Sequence, residues 1–436
     1  MNRRRFAATL PAAVLSAAAC SDGPIDPVGF ATPPPLPASP PMDFTTAEGR
    51  ALGVVASLMK SAEQNAGLAR WSIADNNHRL YPHDLYDGQA GTLTFLAEAY
   101  RYRNDPTLKK LIEDGARSLR STGSVSARGL FDGNAGKAWA FLSIHQALGA
   151  PSSEWLQAAL DLAPAIAAAP GGLIGDIING AAGQGLFLLE LHRATGDSRW
   201  IDGARRMGDA MLDRAVTSGG GIKIPSFTDP SGVPVCYTGL AHGSAGAGYF
   251  LSKLARQLPE DQRARYSDGA ESIAAWLDGL AQHEAARVYW YRREPDQMNA
   301  RQVTWCHGPP GIGLFYLELY QLTGRESHLE TAKKCAATVA ADTPALLNAC
   351  QCHGQSGNAQ LSLAIYRETN EPAYLDAART FGERVWNRRI AGSYPAWGSG
   401  DGANVDRPGL MTGTSGVGWF YLQLATDGRL AGPVTT

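Results

Sequence analysis

The fold is indicated most directly by the segment Gly308-Pro-Pro-Gly311 and by the apolar run Ile-Gly-Leu-Phe-Tyr-Leu-Glu-Leu-Tyr that follows it over residues 312–320. A Gly-x-x-Gly pair leading into an apolar run occurs seven times in this 436-residue chain. The first glycines of the pairs are Gly88, Gly133, Gly180, Gly243, Gly308, Gly354 and Gly413. Repetition at intervals of 45 to 65 residues is typical of repeat architectures, and each interval can hold two helices and their loops.

The two helices predicted in each repeat differ in hydrophobic pattern. The run after each glycine pair is apolar nearly all round, as in residues 184–191, which predicts a buried helix. The next run is more amphipathic, as in Thr331–Ala336, which predicts an outer helix. The sequence therefore predicts an all-α fold, a closed α/α toroid of about seven inner and seven outer helices. The glycine pairs would lie together at one end, where glycine permits close backbone approach and helix N-termini face a central cavity.

Composition and motifs exclude several classes of protein. Hydrophobic residues make up 44% and charged residues 18%, which is typical of a globular chain. The formal net charge of −2 provides no basic surface for a nucleic acid, so we expect no nucleic-acid partner. The chain has neither a dinucleotide-binding glycine motif after a predicted strand nor a phosphate-binding loop ending in Gly-Lys-Ser/Thr.

The first 19 residues are predicted to be a signal peptide. Arg3-Arg4-Arg5-Phe6 fits the twin-arginine export pattern, and an apolar run too short to cross a membrane follows it. Residues 15–20 resemble a bacterial lipobox, which would make Cys20 a lipidated first residue. The alternative is an ordinary small-residue cleavage site next to an incidental cysteine. We expect an exported protein, either periplasmic or held at a membrane only through this segment or its lipid.

A proline-rich tether is predicted over residues 20–45, with eight prolines between positions 21 and 42. Such a composition favours an extended segment that cannot pack a core. The repeats would then form one domain over residues 46–430. A closed toroid has no need of a partner subunit, so we expect a monomer.

Soft metal ligands occur at the loop-to-glycine junction of two adjacent repeats. One repeat reads Trp305-Cys306-His307-Gly308 and the next reads Cys350-Gln-Cys352-His353-Gly354. Two thiolates and one imidazole form a ligand set of the kind that holds catalytic zinc with a fourth position open. Cys306 and Cys352 could instead form a disulfide, because exported cysteines often pair. Cys350 could also replace Cys352 as the ligand, and buried thiols without any such role are common.

Seven Gly-x-x-Gly units, with Trp-Cys-His-Gly in the fifth and Cys-His-Gly in the sixth, resemble the lanthionine synthetase C-like family over roughly residues 50–425. The resemblance implies an α/α toroid with zinc at one end. It also implies an enzyme that adds a cysteine thiol across dehydroalanine or dehydrobutyrine, so that the partner is a peptide with dehydrated Ser or Thr and Cys. Cys306, Cys352 and His353 are the zinc ligands that it implies.

The resemblance also implies catalytic residues. Asp176 stands at an Asp-Ile-x-x-Gly position, and His242 precedes the fourth glycine pair, where the family carries its active-site histidine. His307 occupies a position held in the family by Tyr or His. The family's active-site arginine corresponds to Gln302 here, and Arg301, one residue earlier, is the candidate to stabilise an enolate.

Two departures keep other functions open. The family is mostly cytoplasmic whereas this chain carries an export pattern, and the chain has no dehydratase domain. A non-catalytic exported zinc scaffold or peptide-binding lipoprotein of the same fold is one alternative. A glycan-active toroid is another, since four aspartates precede the first three glycine pairs and Tyr289-Trp290-Tyr291 could stack on sugars. Those aspartates are Asp84, Asp87, Asp132 and Asp176.

Overall fold

Alternating inner and outer helices build the computed structural model, which describes residues 42–75, 78–149, 153–172, 174–295, 301–343, 348–390, 395–397 and 407–432. The predicted signal peptide, Cys20 and most of the tether lie outside these ranges. Seven inner helices are found in the described residues: α2 (Gln89–Arg103), α4 (Asn134–Leu148), α6 (Ala181–Thr195), α8 (Ser244–Gln257), α10 (Pro309–Thr323), α12 (Gln355–Thr369) and α14 (Thr414–Ala425). Their outer partners are α1 (Ala47–Ser61), α3 (Pro106–Ser121), α5 (Ser153–Ala168), α7 (Ser198–Leu212), α9 (Glu260–Leu280), α11 (Glu326–Asp342) and α13 (Pro372–Trp386).

The helices close into a ring. Each inner helix packs against the next, and α14 packs against α2. The first outer helix, α1, packs against the last inner helix, α14, so the N-terminal helix completes the C-terminal repeat. The first turns and central parts of the inner helices are buried on every side, whereas helices such as α3 and α7 bury one face. The predicted α/α toroid of seven inner and seven outer helices is confirmed.

Local sequence signals set the helix boundaries. At the junction of α6 and α7, Gly196 adopts a left-handed conformation with φ of 68°, and its amide donates to the His192 carbonyl at 2.7 Å. Asp197 then caps α7 by accepting a hydrogen bond from the Arg199 amide at 2.9 Å. Glycine and aspartate are favoured at these two positions because of backbone freedom and side-chain capping respectively.

The repeated glycine pairs have a steric origin. The first glycine of every pair is the N-cap of an inner helix. At the second glycine of every pair, a Cβ atom would overlap the backbone carbonyl oxygen of the residue six positions earlier. Each loop therefore folds back tightly onto the first turn of its inner helix, which only glycine allows. The motif brings all seven loops to one end of the toroid, as predicted.

Eleven short strands in the described residues form small antiparallel sheets in the loops, which the all-α prediction did not include. They are β1 (Glu63–Asn65), β2 (Leu68–Arg70), β3 (Ile73–Asp75), β4 (His78–Leu80), β5 (Val216–Ser218), β6 (Gly221–Lys223), β7 (Phe227–Thr228), β8 (Pro234–Tyr237), β9 (Gln282–Glu284), β10 (Arg287–Tyr289) and β11 (Arg293–Glu294). Strands of two to four residues are too short to produce a readable period-two pattern. The insertions predicted in the longer intervals hold β5–β8 and β9–β11.

One of these small sheets joins two insertions. Its strand order is β11-β8-β7, all antiparallel, with Arg293 opposite Tyr237. The sheet therefore ties the loop before α8 to the loop before α10. Within the described residues, none of the helices combines the length and the hydropathy required to cross a bilayer.

Candidate active site

A closed ring of backbone hydrogen bonds joins the seven loops that precede the inner helices. In each loop, an amide close to the first glycine donates to a carbonyl of the next loop. The successive donors and acceptors are Tyr86 to Phe131 (3.0 Å), Phe131 to Ile178 (2.8 Å), Ile177 to Ala241 (2.9 Å), Ala241 to Cys306 (3.2 Å), Cys306 to Cys352 (3.1 Å), Cys352 to Met411 (2.9 Å) and Met411 to Tyr86 (2.8 Å). This ring places the loop of Cys306 between the loops of His242 and Cys352.

The residue immediately before each first glycine occupies an equivalent place on this ring. In repeat order these residues are Asp87, Asp132, Asn179, His242, His307, His353 and Thr412. Three histidines thus follow one another on adjacent loops, while the acidic positions belong to the first two repeats. The His242 and His307 rings lie 5.6 Å apart between centroids. The end of the toroid therefore has a histidine-bearing side, which also carries the two thiols.

His242 and Asp176 form a hydrogen-bonded pair. Asp176 is buried, and its Oδ2 lies 2.7 Å from Nδ1 of His242. The other carboxylate oxygen, Oδ1, accepts hydrogen bonds from the amides of Ile178 at 2.6 Å and Asn179 at 3.0 Å. Because both oxygens are held, the carboxylate orients the imidazole with Nδ1–H toward Asp176 and leaves Nε2 for a substrate. The structure thus brings together two residues predicted from the sequence.

Opposing effects act on the proton affinity of His242. Burial disfavours the charged imidazolium, but the hydrogen bond and negative charge of Asp176 outweigh it and raise the pKa of His242 above its ordinary value of 6.5. Cys306 acts in the same direction, and Arg292 acts against it. His242 is therefore suited to hold and release a proton near neutral pH.

His307 is next to His242 but differs from it in proton affinity. Its side chain is buried, and Nδ1 has no hydrogen-bond partner among the described residues. Burial, with the positive charge of Arg292 as a second cause, lowers the pKa of His307 to about 3. Tyr237, at the end of β8, packs against this ring at 5.7 Å between centroids. His307 therefore faces the site as a neutral imidazole.

The thiols of Cys306 and Cys352 lie in contact. The hydrogen bond from Cys352 lowers the pKa of Cys306 despite its burial, and the same contact raises the pKa of Cys352. The hydroxyl of Tyr86 is within hydrogen-bonding reach of Cys352, and that of Thr304 lies 3.5 Å from Sγ of Cys306. All five cysteines among the described residues are free thiols, so the alternative of a Cys306–Cys352 disulfide is not what the structure shows.

Two cysteine thiols and an imidazole are ligands that zinc prefers, but in this structure the three side chains do not converge on one point. Two thiols meet, and His353 follows Cys352 directly in the chain and lies within electrostatic range of Cys306. Among the described residues, however, no group of three His, Cys, Asp or Glu side chains has the arrangement of a complete metal site. The His353 side chain is partly exposed, unlike the two buried thiols. Cys350 is buried, and burial raises the pKa of its thiol to about 12.

The structure places the side chain of Arg301 away from His242 and His307. Its guanidinium pairs with Glu284 of β9 and lies 4.7 Å from the ring centroid of Tyr289. Nothing among its described contacts reaches His242 or Cys306. The cation that the structure does bring to this site is Arg292, whose guanidinium carbon lies 5.3 Å from the ring centroid of Tyr237.

Sequence reasoning missed two residues of this site. Tyr86 stands two residues before the first glycine of its repeat, the position that Cys306 and Cys352 occupy in theirs, so its place in the repeat was a usable signal. Arg292 had no such signal, since it comes from an insertion between repeats. Two of the three aromatic residues proposed for sugar stacking are buried and hydrogen-bonded: Tyr289 bonds Asp342 through its hydroxyl, and Trp290 donates to the Leu277 carbonyl at 2.8 Å.

Comparisons with known proteins agree with this arrangement. The family model described as "Lanthionine synthetase C-like protein" matches residues 80–434, which is most of the chain. The chain belongs to the lanthionine synthetase C-like family. The family model spans all seven ring loops and therefore includes the thiol pair and the His242–Asp176 pair. The predicted resemblance is confirmed.

Individual relatives of this family member are more distant. A protein of Danio rerio named glutathione S-transferase LANCL1 is 26% identical over 200 residues, which are 45% of this chain. The match spans less than half of that relative's own length, also 45%. The structure of nisin cyclase is similar with a TM-score of 0.61 at 19% identity, covering 78% of this chain and 88% of the cyclase.

Other toroids share only the fold. A family 76 α-mannanase of Bacteroides thetaiotaomicron is similar with a TM-score of 0.51 at 13% identity, over 87% of this chain and 95% of that chain. Identity this low shows a common architecture and nothing about the chemistry. The α/α toroid supports unrelated activities, so the function of this family member has to be argued from its ring loops.

Proposed function

We propose that this chain is a zinc-dependent, cyclase-like enzyme that adds a cysteine thiol of a peptide to a dehydroalanine or dehydrobutyrine and forms a thioether. One observation carries the proposal: the loop of Cys306, whose thiol contacts that of Cys352, is hydrogen-bonded to the loop of His242, which pairs with Asp176. Thiol addition needs a site that activates sulfur and a group that moves one proton, and both occur here side by side.

Cys306, Cys352 and His353 would hold the zinc ion. Zinc at such a site supplies a positive charge that favours the thiolate form of a coordinated thiol, whose ordinary pKa is about 8.5. Two thiolate ligands already balance the charge of Zn²⁺, so an additional thiolate would stay electron-rich. The hydroxyl of Tyr86, within hydrogen-bonding reach of Cys352, would orient that ligand.

The proton is moved by His242. The substrate thiol gives its proton to Nε2, because Nδ1 is held by Asp176. The sulfur electron pair then forms the C–S bond at the β-carbon, and the C=C electron pair moves onto the carbonyl oxygen to give an enolate. Nε2 returns the proton to the α-carbon, so that all atoms of thiol and alkene remain in the product. The carboxylate of Asp176 stabilises the imidazolium between these two transfers.

The proposal is tested with a synthetic peptide that carries one dehydroalanine and one cysteine. Cyclisation leaves its mass unchanged but removes the free thiol, so alkylation followed by mass spectrometry measures the reaction. We expect about one zinc ion per chain and enzyme-dependent loss of alkylation. Cys352→Ala should lose both zinc and activity. The matched control Cys335→Ala, a buried cysteine in outer helix α11, should keep both.

Two results would contradict the proposal. Zinc bound without any turnover would indicate the non-catalytic scaffold or peptide-binding lipoprotein. Full turnover by protein stripped of metal would show that the thiol pair is not a zinc site. The glycan-active alternative loses two of its three stacking candidates, because Tyr289 and Trp290 are buried and hydrogen-bonded.

Export and lipid attachment are proposed from residues 1–20 alone, which lie outside the described residues. Twin-arginine export moves folded proteins, so zinc could be inserted before the protein leaves the cytoplasm. Metabolic labelling with a fatty acid should mark the full-length protein and should not mark the Cys20→Ser variant. Labelling that survives this substitution would contradict attachment at Cys20.

A further inference from the structure

Arg292 is held beside the site by backbone contacts. It directly precedes β11, and its carbonyl accepts a hydrogen bond from the amide of Thr238 at 3.1 Å. The Thr238 hydroxyl donates to the preceding carbonyl, of Tyr291, at 2.7 Å. Thr238 is four residues before His242, so these bonds tie Arg292 to the loop that carries the proposed proton-transfer residue. The backbone of Arg292 is therefore held in place beside this loop, so its side chain starts from a fixed point next to the site.

The side chain of Arg292 extends along Tyr237 toward the two histidines. Its guanidinium carbon lies 5.3 Å from the ring centroid of Tyr237, whose own centroid is 5.7 Å from that of His307 and 6.5 Å from that of His242. Burial and, to a smaller extent, the positive charge of Arg292 act to lower the pKa of His242, against the effect of Asp176. The guanidinium is thus electrostatically part of the site.

The guanidinium of Arg292 has no ion-pair partner within the part of the chain that the structure describes. Among the described residues, no carboxylate forms an ion pair with Arg292, and its Nε is buried without a hydrogen-bond acceptor. Arg287 and Arg407, by contrast, pair with carboxylates, Arg287 with Asp342 at 2.9 Å and Arg407 with Asp87 at 3.9 Å. A partly buried cation with an unsatisfied donor is unfavourable by itself, and an anionic ligand would satisfy it.

We propose that Arg292 donates hydrogen bonds to an oxyanion of the substrate beside His242. The inference rests on the proposed function and deepens it. Two sources have this chemistry: the enolate oxygen formed when the C–S bond forms, and a carboxylate already present on the substrate. In the first case, the guanidinium stabilises the electron pair on oxygen until His242 returns its proton to the α-carbon. In the second, Arg292 binds the substrate before any bond forms.

The experiment compares wild type with Arg292→Gln, Arg292→Lys and the control Arg287→Gln, which removes the same charge from nearby β10. The acceptor is N-acetyldehydroalanine methylamide, which has no carboxylate. The thiol is either N-acetylcysteine or its neutral amide. Metal content and thermal unfolding are measured for every variant, so that loss of fold or zinc is not mistaken for loss of the oxyanion contact.

If the oxyanion is the enolate, Arg292→Gln lowers kcat with the neutral thiol by about 100- to 1000-fold with little change in KM. Arg292→Lys should restore part of the loss, because it keeps the charge but not the planar donors. If the oxyanion is a substrate carboxylate, the variant raises KM for N-acetylcysteine and leaves the amide unaffected. For Arg287→Gln, kcat and KM should stay within about threefold of the wild-type values with both thiols.

Unchanged kcat and KM for Arg292→Gln in both arms would overturn the proposal. It would also be overturned if Arg301→Gln produced the loss and Arg292→Gln did not. A readout without turnover separates this inference from the proposed function. In histidine NMR titrations, removal of the Arg292 charge should raise the pKa of His242, whereas Arg287→Gln should not. Suppose that this pKa difference is found and that wild type binds N-acetylcysteine more tightly than its amide but never forms a thioether. The anion-binding role of Arg292 would then be supported, and the proposed enzymatic function would be contradicted.

Discussion

The substitution Asp176→Asn tests the proton-transfer pair with almost no change in shape. The oxygen that the new amide retains still accepts from the backbone amides of Ile178 and Asn179, as Oδ1 of the carboxylate does now. The new NH₂ group then faces Nδ1 of His242 at the position of Oδ2, 2.7 Å away. Nδ1 must accept that hydrogen bond, so the neutral imidazole carries its proton on Nε2 and cannot take one from a thiol there.

The expected loss follows from the contact that disappears. A hydrogen bond to a charged group contributes about 1.5–3 kcal/mol, and Asp176 is buried, so solvent does not screen it. Losing that stabilisation of the imidazolium corresponds to a decrease of about 10- to 150-fold in kcat for the model peptide. The tautomer with its proton on Nε2 lowers kcat further, so this decrease in kcat is a lower bound.

The same substitution has a defined effect on the pH profile. Asp176 holds the pKa of His242 above its ordinary value, although burial acts in the opposite direction. Without that charge the pKa falls, so the neutral form that accepts the thiol proton persists to lower pH. The acidic limb of kcat should therefore move to lower pH in Asp176→Asn.

The matched control is Asp105→Asn at the N-cap of α3. Asp105 also accepts amide hydrogen bonds from the residues two and three positions later, at 2.7 and 3.2 Å, but no histidine lies against it. Its activity and thermal midpoint should stay close to wild type, since asparagine is an equally good cap. Wild-type activity of Asp176→Asn, with an unshifted pH profile, would refute the role assigned to His242.

The remaining predictions concern stability and its pH dependence. Gly308 has φ of 116°, and a Cβ there would overlap the carbonyl oxygen of Gln302, so Gly308→Ala should lower the free energy of unfolding by at least about 1–3 kcal/mol from backbone strain. Gly279→Ala, inside α9 with only ordinary contacts, should be neutral or stabilising in the same urea titration, and equal losses in both variants would contradict the steric argument. Burial raises the pKa of Asp132 from 3.8 to about 6, so the folded state binds the proton more tightly and stability falls as pH rises through this range. Asp132→Asn should therefore be more stable than wild type at about pH 7.5, with the difference vanishing below about pH 4; a difference that does not change with pH would contradict the assignment.

Much of this molecule follows from local patterns in the chain. The seven glycine pairs, the apolar runs after them and the caps such as Gly196 and Asp197 depend on residues close in sequence, so they predict the helices and their order. The equivalence of Cys306 and Cys352 within adjacent repeats likewise predicts that the two thiols lie close together, as the structure shows.

Which other groups reach the thiols and His242 depends on tertiary contacts that the sequence did not reveal. Tyr86 meets Cys352 because the backbone ring closes between the first and last repeats, and that closure depends on the packing of α1 and α2 against α14. Arg292 reaches Tyr237 because β11 pairs with β8, two strands too short to be read from their composition. Hydrophobic periodicity and capping are properties of neighbouring residues, whereas the approach of these side chains depends on how distant loops are joined after the ring has closed.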